Sequence, residues 1–408
     1  MSGYGRVQGP HPHRVRTALR DNGRVSRQET VGVGAGAAHL GVDRVIDLGP
    51  LHPSAHGAYR LRLTLDGPAD APVIGEAEPL VGHLHRGAEK LFEVRDYRQV
   101  LTLANRHDWL AAFCNEVAVA LAVERMTGME VPPRAIWLRT LLCELNRILA
   151  HLVFLAPLTR APDGAHTEGT RAAQRGREAV QEVMEEVSGG RIHFMANRIG
   201  GLREDVPLGW TDRVRAALDE LDRLVPAVAA STVEDTGFRT RHEGVGVLRA
   251  ADALALGVTG PIARACGVST DLRRDDPVLA YAELDVQPVV ATEGDALARV
   301  RCALGEVEQS VRLAGECLRR LPAGPVNVRL PKAVKAPEGS VYVWTEAPLG
   351  VSGVFLASRG EKTPWRLKLR TPSFNNVQAL AALLPGTRVA DLPAVLGSFA
   401  VVVGDIDK

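Results

Sequence analysis

Two histidines stand four residues apart in the turn-rich stretch GPLHPSAHG, which runs from Gly49 to Gly57. Pro53 and the closing glycine are incompatible with a helix that would place both imidazoles on one face, so this is not an HExxH-type metal pair. We expect His52 to make a hydrogen bond that shapes the turn and His56 to lie at its tip. Because the charge of histidine changes near neutral pH, His56 could donate a proton to a carbonyl oxygen that is being reduced.

A second polar group precedes an apolar helical segment, in the stretch NRHDWLAAF. Asp108 is the natural N-cap for a helix that would start here. Arg106 would then lie at an interior helix start, where a cation needs either an acidic partner or an external electronegative group.

The next apolar helix carries a polar stripe, formed by Thr140, Glu144, Arg147 and His151. Intervals of four, three and four residues place these side chains along one helical face. Two interpretations remain open. The stripe could be a satisfied, buried salt-bridge network, or it could be a charged path that carries protons or conformational strain.

Asp163 follows in the loop TRAPDGAHTEG. A carboxylate on a loop is usually solvated. If Asp163 instead hydrogen-bonds to His56, it would select one tautomer of the imidazole and raise its pKa.

The composition excludes several kinds of site. A formal net charge of +1 argues against nucleic acid as a partner, and five cysteines without any CxxC argue against iron–sulfur or zinc ligation by this chain. No nucleotide-binding glycine motif and no GxSxG motif occurs. The sequence also lacks a signal-type apolar region and a run of about 18 apolar residues, so we expect neither secretion nor a membrane span.

The periodicity of the sequence predicts an α+β fold. Residues 1–40 are rich in arginine and glycine, which predicts a flexible basic tail. Residues 41–107 alternate as a small antiparallel sheet that contains the histidine loop, residues 108–325 form a central helical bundle, and residues 326–408 form a C-terminal α+β region with a small sheet.

Nine motifs, in unbroken order from about residue 45, resemble the D subunit of respiratory complex I, the proton-translocating NADH-quinone oxidoreductase. The resemblance implies the fold of the nickel–iron hydrogenase large subunit without its metal, since no cysteine pairs are present to hold nickel. The chain could also be a divergent second copy of the D subunit. The motifs are GPLHPSAHG, GHLHRGAEKL, LAVERMTGMEVPPRA, CELNRILAHLVFL, VSGGRIHFMANRIGG, GVGVL, LGVTGP, PWRLKLRTPSF and VGDIDK.

The resemblance implies roles for particular residues. The second histidine of the HPSxHG loop is a quinone-headgroup ligand in the family, and it corresponds to His56. The family tyrosine of a DRxDY pattern corresponds to Trp109, because this sequence reads NRHDW. An indole can stack on a quinone ring and donate a hydrogen bond, but it cannot deliver a proton. After a shift of two residues, the family acid that pairs with the histidine corresponds to Asp163.

Further expectations follow from the same resemblance. Arg86 and Arg106 match positions close to the iron–sulfur cluster of a neighbouring subunit, and Glu144, Arg147 and His151 would carry charge movement away from the quinone site. The segment SFAVVVGDIDK has Ala400 and Val401 where the family usually carries Asp-Pro, the remnant of a metal-ligand motif.

The resemblance also implies cofactors and partners. Quinone, either menaquinone or ubiquinone, would be the substrate, while iron–sulfur clusters, FMN and NAD would be on other subunits. The expected partners are the B-type iron–sulfur subunit, the C-type subunit and the membrane H-type subunit, in a peripheral arm on the cytoplasmic face of the cell membrane. Two alternatives stay open: a non-catalytic paralogue or scaffold, and a D-like subunit of a quinone oxidoreductase fed by ferredoxin or a deazaflavin.

Overall fold

The computed structural model describes residues 6–7, 19–21, 24–34, 36–49 and 52–408. Helices and small sheets combine into the α+β fold predicted from the sequence. The N-terminal sheet has the strand order β1-β4-β3-β5-β6, with β2 paired to β3. Its pairs are antiparallel except for β3 and β4, which run parallel. Its strands are β1 (Arg6–Val7), β2 (Leu19–Asp21), β3 (Arg24–Val33), β4 (Arg44–Asp47), β5 (Tyr59–Asp66) and β6 (Val73–Leu80).

The prediction of a flexible tail over residues 1–40 is wrong where strands and a helix form within it, which includes β1 and β2. Residues 24–33 form β3, which pairs with β5 along the eight residues from Ser26 to Val33, and residues 37–40 form a 3₁₀ helix. The reason is long-range pairing, because the ladder with β5 satisfies the backbone of a segment whose composition alone favours disorder. Residues 1–5, 8–18, 22–23 and 35 of the predicted tail lie outside the described residues.

The middle of the chain is helical and also contains a two-stranded pair, β7 (Asn197–Arg198) with β8 (Gly201–Leu202). The helices are α1 (Ala88–Phe92), α2 (Tyr97–Ala104), α3 (Ala112–Thr127), α4 (Pro133–Leu158), α5 (Glu168–Ser188), α6 (Trp210–Ala230), α7 (Thr236–His242), α8 (Ala250–Ala255), α9 (Gly260–Arg264), α10 (Leu272–Asp275) and α11 (Ala296–Arg320).

Helix α4 is the centre of this bundle and packs against α3, α5 and α11. By length and composition alone it could cross a membrane, yet 94% of its most apolar window is buried inside the protein. Prolines begin it, and Gly128 ends α3 in a left-handed conformation. The start predicted for α3 was wrong. This helix begins at Ala112, and the carboxylate of Asp108 instead accepts the N–H groups of Leu110 and Ala111 in the turn before it.

The C-terminal region forms an antiparallel sheet of order β11-β10-β9, followed by short helices. These helices pack on the N-terminal sheet, so that residues 377–406 share a hydrophobic core with residues 31–77 and 248–266, and α14 also packs against α7 of the bundle. The histidine loop between β4 and β5 therefore lies close to residues 397–407. The elements are β9 (Gly339–Ala347), β10 (Gly350–Ser358), β11 (Arg366–Arg370), α12 (Pro372–Gln378), α13 (Leu380–Leu383), α14 (Leu392–Gly397) and α15 (Val403–Ile406).

Candidate functional site

His52 holds the histidine loop in place, as predicted. Its Nδ1 accepts hydrogen bonds from the hydroxyl and the backbone N–H of Ser54, at 2.7 and 3.2 Å. Its Nε2–H donates to the carbonyl of Gly397, at 3.1 Å. Burial lowers the pKa of His52 to about 4, against the opposing effect of the Gly397 hydrogen bond. A neutral, buried imidazole with both nitrogens occupied is a structural brace and is not available to a ligand.

Two glycines let the loop lie against its surroundings. Gly57 has φ 145°, and a Cβ atom there would lie 2.6 Å from the side chain of Val403 and 2.8 Å from that of Leu84. Gly34 has φ 101°, and its Cβ would lie 2.3 Å from the carbonyl oxygen of Ser54. Both positions combine a conformation that favours glycine with a close approach, which fixes the tip that carries His56.

His56 lies at the exposed end of the loop and contacts Trp109. The two ring centroids are 4.8 Å apart, with an interplanar angle of 80°, an edge-to-face arrangement. Both side chains line a cavity of about 540 Å³. The other lining residues are Arg106, Val153, Ala156, Gln174, Arg177, Glu178, Ile192 and His193.

The far wall of this cavity was not predicted from the sequence. Gln174, Arg177 and Glu178 project from α5, where spacings of three and four residues place them on one helical face. This spacing is the feature of the sequence from which the cavity wall could have been predicted. Helix α5 also has other polar faces, however, so the spacing alone does not indicate which face lines a cavity.

His193 is a second imidazole in the cavity that was not predicted. Its Nδ1 donates to the carbonyl of Asn105 at 3.0 Å, so Nε2 carries the lone pair in the neutral ring. Partial burial, together with the positive charge of Arg106, lowers the pKa of His193 below its ordinary value.

Behind Trp109 lies a buried acidic group, formed by Asp108 and Asp405 beside His107. The Nε2 of His107 is 3.6 Å from an Oδ atom of Asp405. Burial, and then the nearby charge of Asp405, raises the pKa of Asp108 well above its ordinary value. The indole N–H of Trp109 is shielded from solvent and has no hydrogen-bond partner among the described residues. The indole N–H of Trp109 is therefore not available to donate to a ligand from solvent in this arrangement.

Other predicted site residues lie away from this cavity. Asp163 is exposed, and its carboxylate accepts the N–H of Ala165 at 2.9 Å. It is not among the lining residues, and the structure does not bring it to His56. Arg86 is exposed in the segment before α1 and makes no ion pair with any residue in the described ranges.

The polar stripe of α4 lies in a fully buried ionic network, of which Glu144 is one centre. Its carboxylate accepts from Arg273 at 3.1 Å, from Tyr281 at 2.5 Å and from Ser310 at 2.7 Å. Burial by itself would raise the pKa of Glu144, but the charges of Arg273 and Arg147 bring it below its ordinary value. Thr140 accepts the N–H of Ala280 nearby, at 3.1 Å.

Glu306 is the second centre of the network. It pairs with Arg264 at 2.5 Å and with His151 at 2.9 Å, and Arg147 lies 3.8 Å away. Burial opposes ionisation of Glu306, yet Arg264, His151 and Arg273 together outweigh it and hold the pKa of that carboxyl well below its usual range. The network is thus a satisfied set of buried charges. Whether it also carries protons stays a prediction.

Glu346 completes the network on strand β9. It pairs with Arg264 at 2.9 Å and accepts the N–H of Leu272 at 3.2 Å. Burial raises the pKa of Glu346 despite the attraction of Arg264. Asp271 pairs with Arg273 at 2.7 Å.

The cavity combines features suited to a flat, partly apolar ligand with carbonyl groups. Val153, Ala156 and Ile192 supply apolar surface, while His56, Arg106 and Arg177 supply hydrogen-bond donors. Within the described ranges, no group of three or more histidine, cysteine or acidic side chains is placed to hold a metal ion. All five cysteines are free and buried. The apolar walls and hydrogen-bond donors of the cavity suit an organic ligand.

Comparison with known proteins gives a consistent result. A family model described as "Respiratory-chain NADH dehydrogenase, 49 Kd subunit" matches residues 164–335 and 330–408. The D 2 subunit of NADH-quinone oxidoreductase from Salinispora tropica is 58% identical over 386 residues, which cover 94% of this chain and 97% of that protein. The D 1 subunit from Streptomyces coelicolor is 56% identical, covering 92% and 98%. The D subunit from Geobacillus thermodenitrificans is 40% identical, covering 90% and 98%.

Proposed function

Because the chain belongs to the 49 kDa, or D-type, family of NADH-quinone oxidoreductase subunits, we propose that it forms one wall of the quinone-reduction site of complex I. As a member of this family it works with other subunits of that complex. The resemblance to relatives named as D 2 subunits fits a second copy of this protein.

The contact between His56 and Trp109 at the cavity is the observation that carries this proposal. A quinone ring is flat, and its two carbonyl oxygens need hydrogen-bond donors as negative charge develops on them. The cavity offers apolar walls at Val153 and Ala156 and a solvent-accessible imidazole at His56. Trp109 contacts that imidazole edge to face, which limits the orientations of the ring.

In the proposed reaction, two electrons and two protons convert the quinone to a quinol. The electrons come from the terminal iron–sulfur cluster of the B-type subunit. His56 donates one proton to the nearer quinone oxygen, and the second proton reaches the other oxygen from solvent. His56 is itself reprotonated from solvent, which its exposure permits. The guanidinium of Arg106 at the cavity wall stabilises negative charge on the partly reduced ring. Arg86 and Arg106 would also favour the reduced state of the cluster.

Coupling to proton translocation belongs to the same proposal. Asp163 would approach His56 after a movement of its loop, and Glu144, Arg147 and His151 would respond to the change of charge. Their network is buried and contains several closely spaced ionisable groups, so a change in one protonation state alters the others.

We place the chain in the peripheral arm, on the cytoplasmic face of the cell membrane, bound to the B-type, C-type and H-type subunits. Menaquinone or ubiquinone would be the substrate, and FMN, NAD and the iron–sulfur clusters would be on other subunits.

A non-catalytic scaffold is the second candidate, and Trp109 is the observation that favours it. An indole has no proton to deliver at neutral pH, so quinone reduction would depend on the remaining cavity residues. A third candidate is a complex of the same type that takes electrons from ferredoxin or a deazaflavin. It differs in the proteins that co-purify, since it would lack an NADH-oxidising, flavin-binding module.

The test is NADH:quinone reductase activity of a purified complex in which this chain is the only D-type component. We expect turnover in the unaltered complex and a loss of about 100-fold in His56→Gln, because a positioned general acid contributes about 10²- to 10⁴-fold. His83→Gln is the matched control, since His83 is an exposed histidine outside the cavity.

The outcomes separate the candidates. An intact complex without quinone turnover would support the scaffold. Turnover that His56→Gln leaves unchanged would overturn the role of His56, and a complex that lacks an NADH-oxidising module would overturn the NADH assignment.

A further inference from the structure

A second cavity, of about 510 Å³, lies between the end of α4, helix α7 and the start of α14. It is lined by none of the residues that line the first cavity. Its charged and polar lining consists of Arg160, Arg241, His242, Arg388 and Asp391, together with Thr240.

His242 presents a hydrogen-bond acceptor with nothing bound to it from the described residues. The side chain is only 4% exposed, and its ring stacks on Phe238 with centroids 3.8 Å apart. Its Nδ1 lies 2.8 Å from the carbonyl of Phe238. A carbonyl oxygen only accepts, so Nδ1 carries the hydrogen and Nε2, which has no hydrogen-bond partner, carries the lone pair. Burial keeps the ring neutral, because it lowers the pKa of His242 to about 4.

The same cavity is electropositive. Arg241 is exposed and forms no ion pair within the described part of the chain. Among the described residues, Arg160 contacts the Nε2 of His166 in its loop at 2.9 Å but no carboxylate, and its own Nε is buried without a partner. Arg388 is neutralised by a bidentate pair with Asp391, at 2.8 and 2.9 Å. Among the described residues, two guanidinium groups are therefore left without a carboxylate.

A third cation lies close to His242. Arg299 is 2% exposed, and its guanidinium donates to Ser398 and to the carbonyls of Gly246 and Gly294. Its second Nη has no partner in the described ranges. The carboxylate of Asp295 is also near, but it is occupied by the N–H groups of Gly244 and Ala298.

We infer that this cavity binds inorganic phosphate, as an oxyanion that keeps an O–H group. The unpaired guanidinium groups of Arg160 and Arg241 require an anion, while the free lone pair on Nε2 of His242 requires a hydrogen-bond donor. Hydrogenphosphate supplies both. Sulfate and ionised carboxylates supply only acceptors, and a phosphate monoester loses its last O–H above a pKa of about 6.

The experiment measures binding to the full-length chain at pH 8 by isothermal titration calorimetry, with inorganic phosphate, sulfate and glycerol 3-phosphate as separate probes. We expect phosphate to bind at least about tenfold more tightly than either of the others, since an anion without O–H leaves the buried acceptor unpaired. Tighter binding of glycerol 3-phosphate than of phosphate would overturn the inference and identify a phosphate ester as the ligand.

Two variants separate the two contacts. His242→Phe keeps the stacked ring and removes the acceptor, so it should abolish the preference for phosphate over sulfate. Arg241→Gln changes an exposed side chain, so the fold is preserved. It should lower the affinity for both phosphate and sulfate by about fivefold or more. Arg239→Gln is the matched control, because Arg239 lies on the same helix but outside the cavity, paired with Glu243.

Absence of phosphate binding at millimolar concentration would overturn the inference. So would equal affinities for phosphate and sulfate, or an equal loss of affinity in Arg239→Gln and Arg241→Gln.

Discussion

Replacing Arg264 by methionine tests the buried ionic network most directly. Arg264 is fully buried and contacts Glu306, Glu346 and Asp271, at 2.5, 2.9 and 3.8 Å. Methionine fills much of the same volume but leaves Glu346 without its cation and Glu306 with only the more distant Arg147 and a neutral histidine. Breaking a buried pair by removing one partner costs about 3–5 kcal/mol. We expect the free energy of unfolding to fall by about that amount at pH 7, measured by urea denaturation.

The matched control is Arg301→Met, which removes an exposed pair with Glu293 at 3.2 Å on the same helix as Glu306. That change should cost less than about 1 kcal/mol. Glu306→Gln in the Arg264→Met background should recover part of the loss, because it removes the carboxylate left unpaired.

The cost of Arg264→Met should also depend on pH. In the native protein the pKa of Glu306 is held well below its unfolded value. Its stabilising contribution is therefore present above about pH 4.3 and is lost as the pH falls through the folded pKa. The difference in the free energy of unfolding between Arg264→Met and the native protein should therefore become smaller as the pH falls over that range. If Arg264→Met lowers the free energy of unfolding by less than about 1 kcal/mol at pH 7, the conclusion that it leaves an uncompensated buried charge is refuted.

Two further predictions concern the histidine loop and the cavity. His52→Gln should cost about 1–3 kcal/mol at pH 7, because the bonds to Ser54 and Gly397 are lost. The native protein should lose about 3 kcal/mol of stability between pH 7 and pH 4 because of His52, since the unfolded histidine binds a proton below pH 6.5 and the folded one only near pH 4. The variant should not show this loss. The free energy of unfolding measured from pH 7 to pH 4 checks both expectations. Trp109→Tyr should raise quinone turnover at least about tenfold, because a phenol can deliver a proton in the cavity; unchanged turnover in an active complex would show that the indole is sufficient.

Local patterns predicted several elements and part of the site. The small sheet predicted within residues 326–408 is formed by β9, β10 and β11, because alternation depends on neighbouring residues. The bracing role of His52 was also readable, since Pro53 and the glycines force a turn there. The resemblance to a known family placed His56 and Trp109 together, which the structure shows as a ring contact.

Features that depend on distant pairing could not be predicted. Strand β3 has a composition typical of a tail and is ordered by its ladder with β5. The partners of the α4 stripe come from α10, β9 and α11, and no spacing along α4 indicates them. The cavity wall on α5 and the acceptor at His242 likewise depend on how separate helices pack.

The dependence of the histidine loop on residues far along the chain has a consequence for folding. His52 bonds to the carbonyl of Gly397, 345 residues later, and Gly57 lies against Val403. During synthesis the loop must wait for these residues to leave the ribosome, and closing so long a loop is entropically costly. Until then, the apolar residues of the N-terminal sheet that pack against residues 377–406 stay uncovered. We therefore expect cells that make this chain to need a chaperone or an assembly partner that covers the sheet for the whole time of translation.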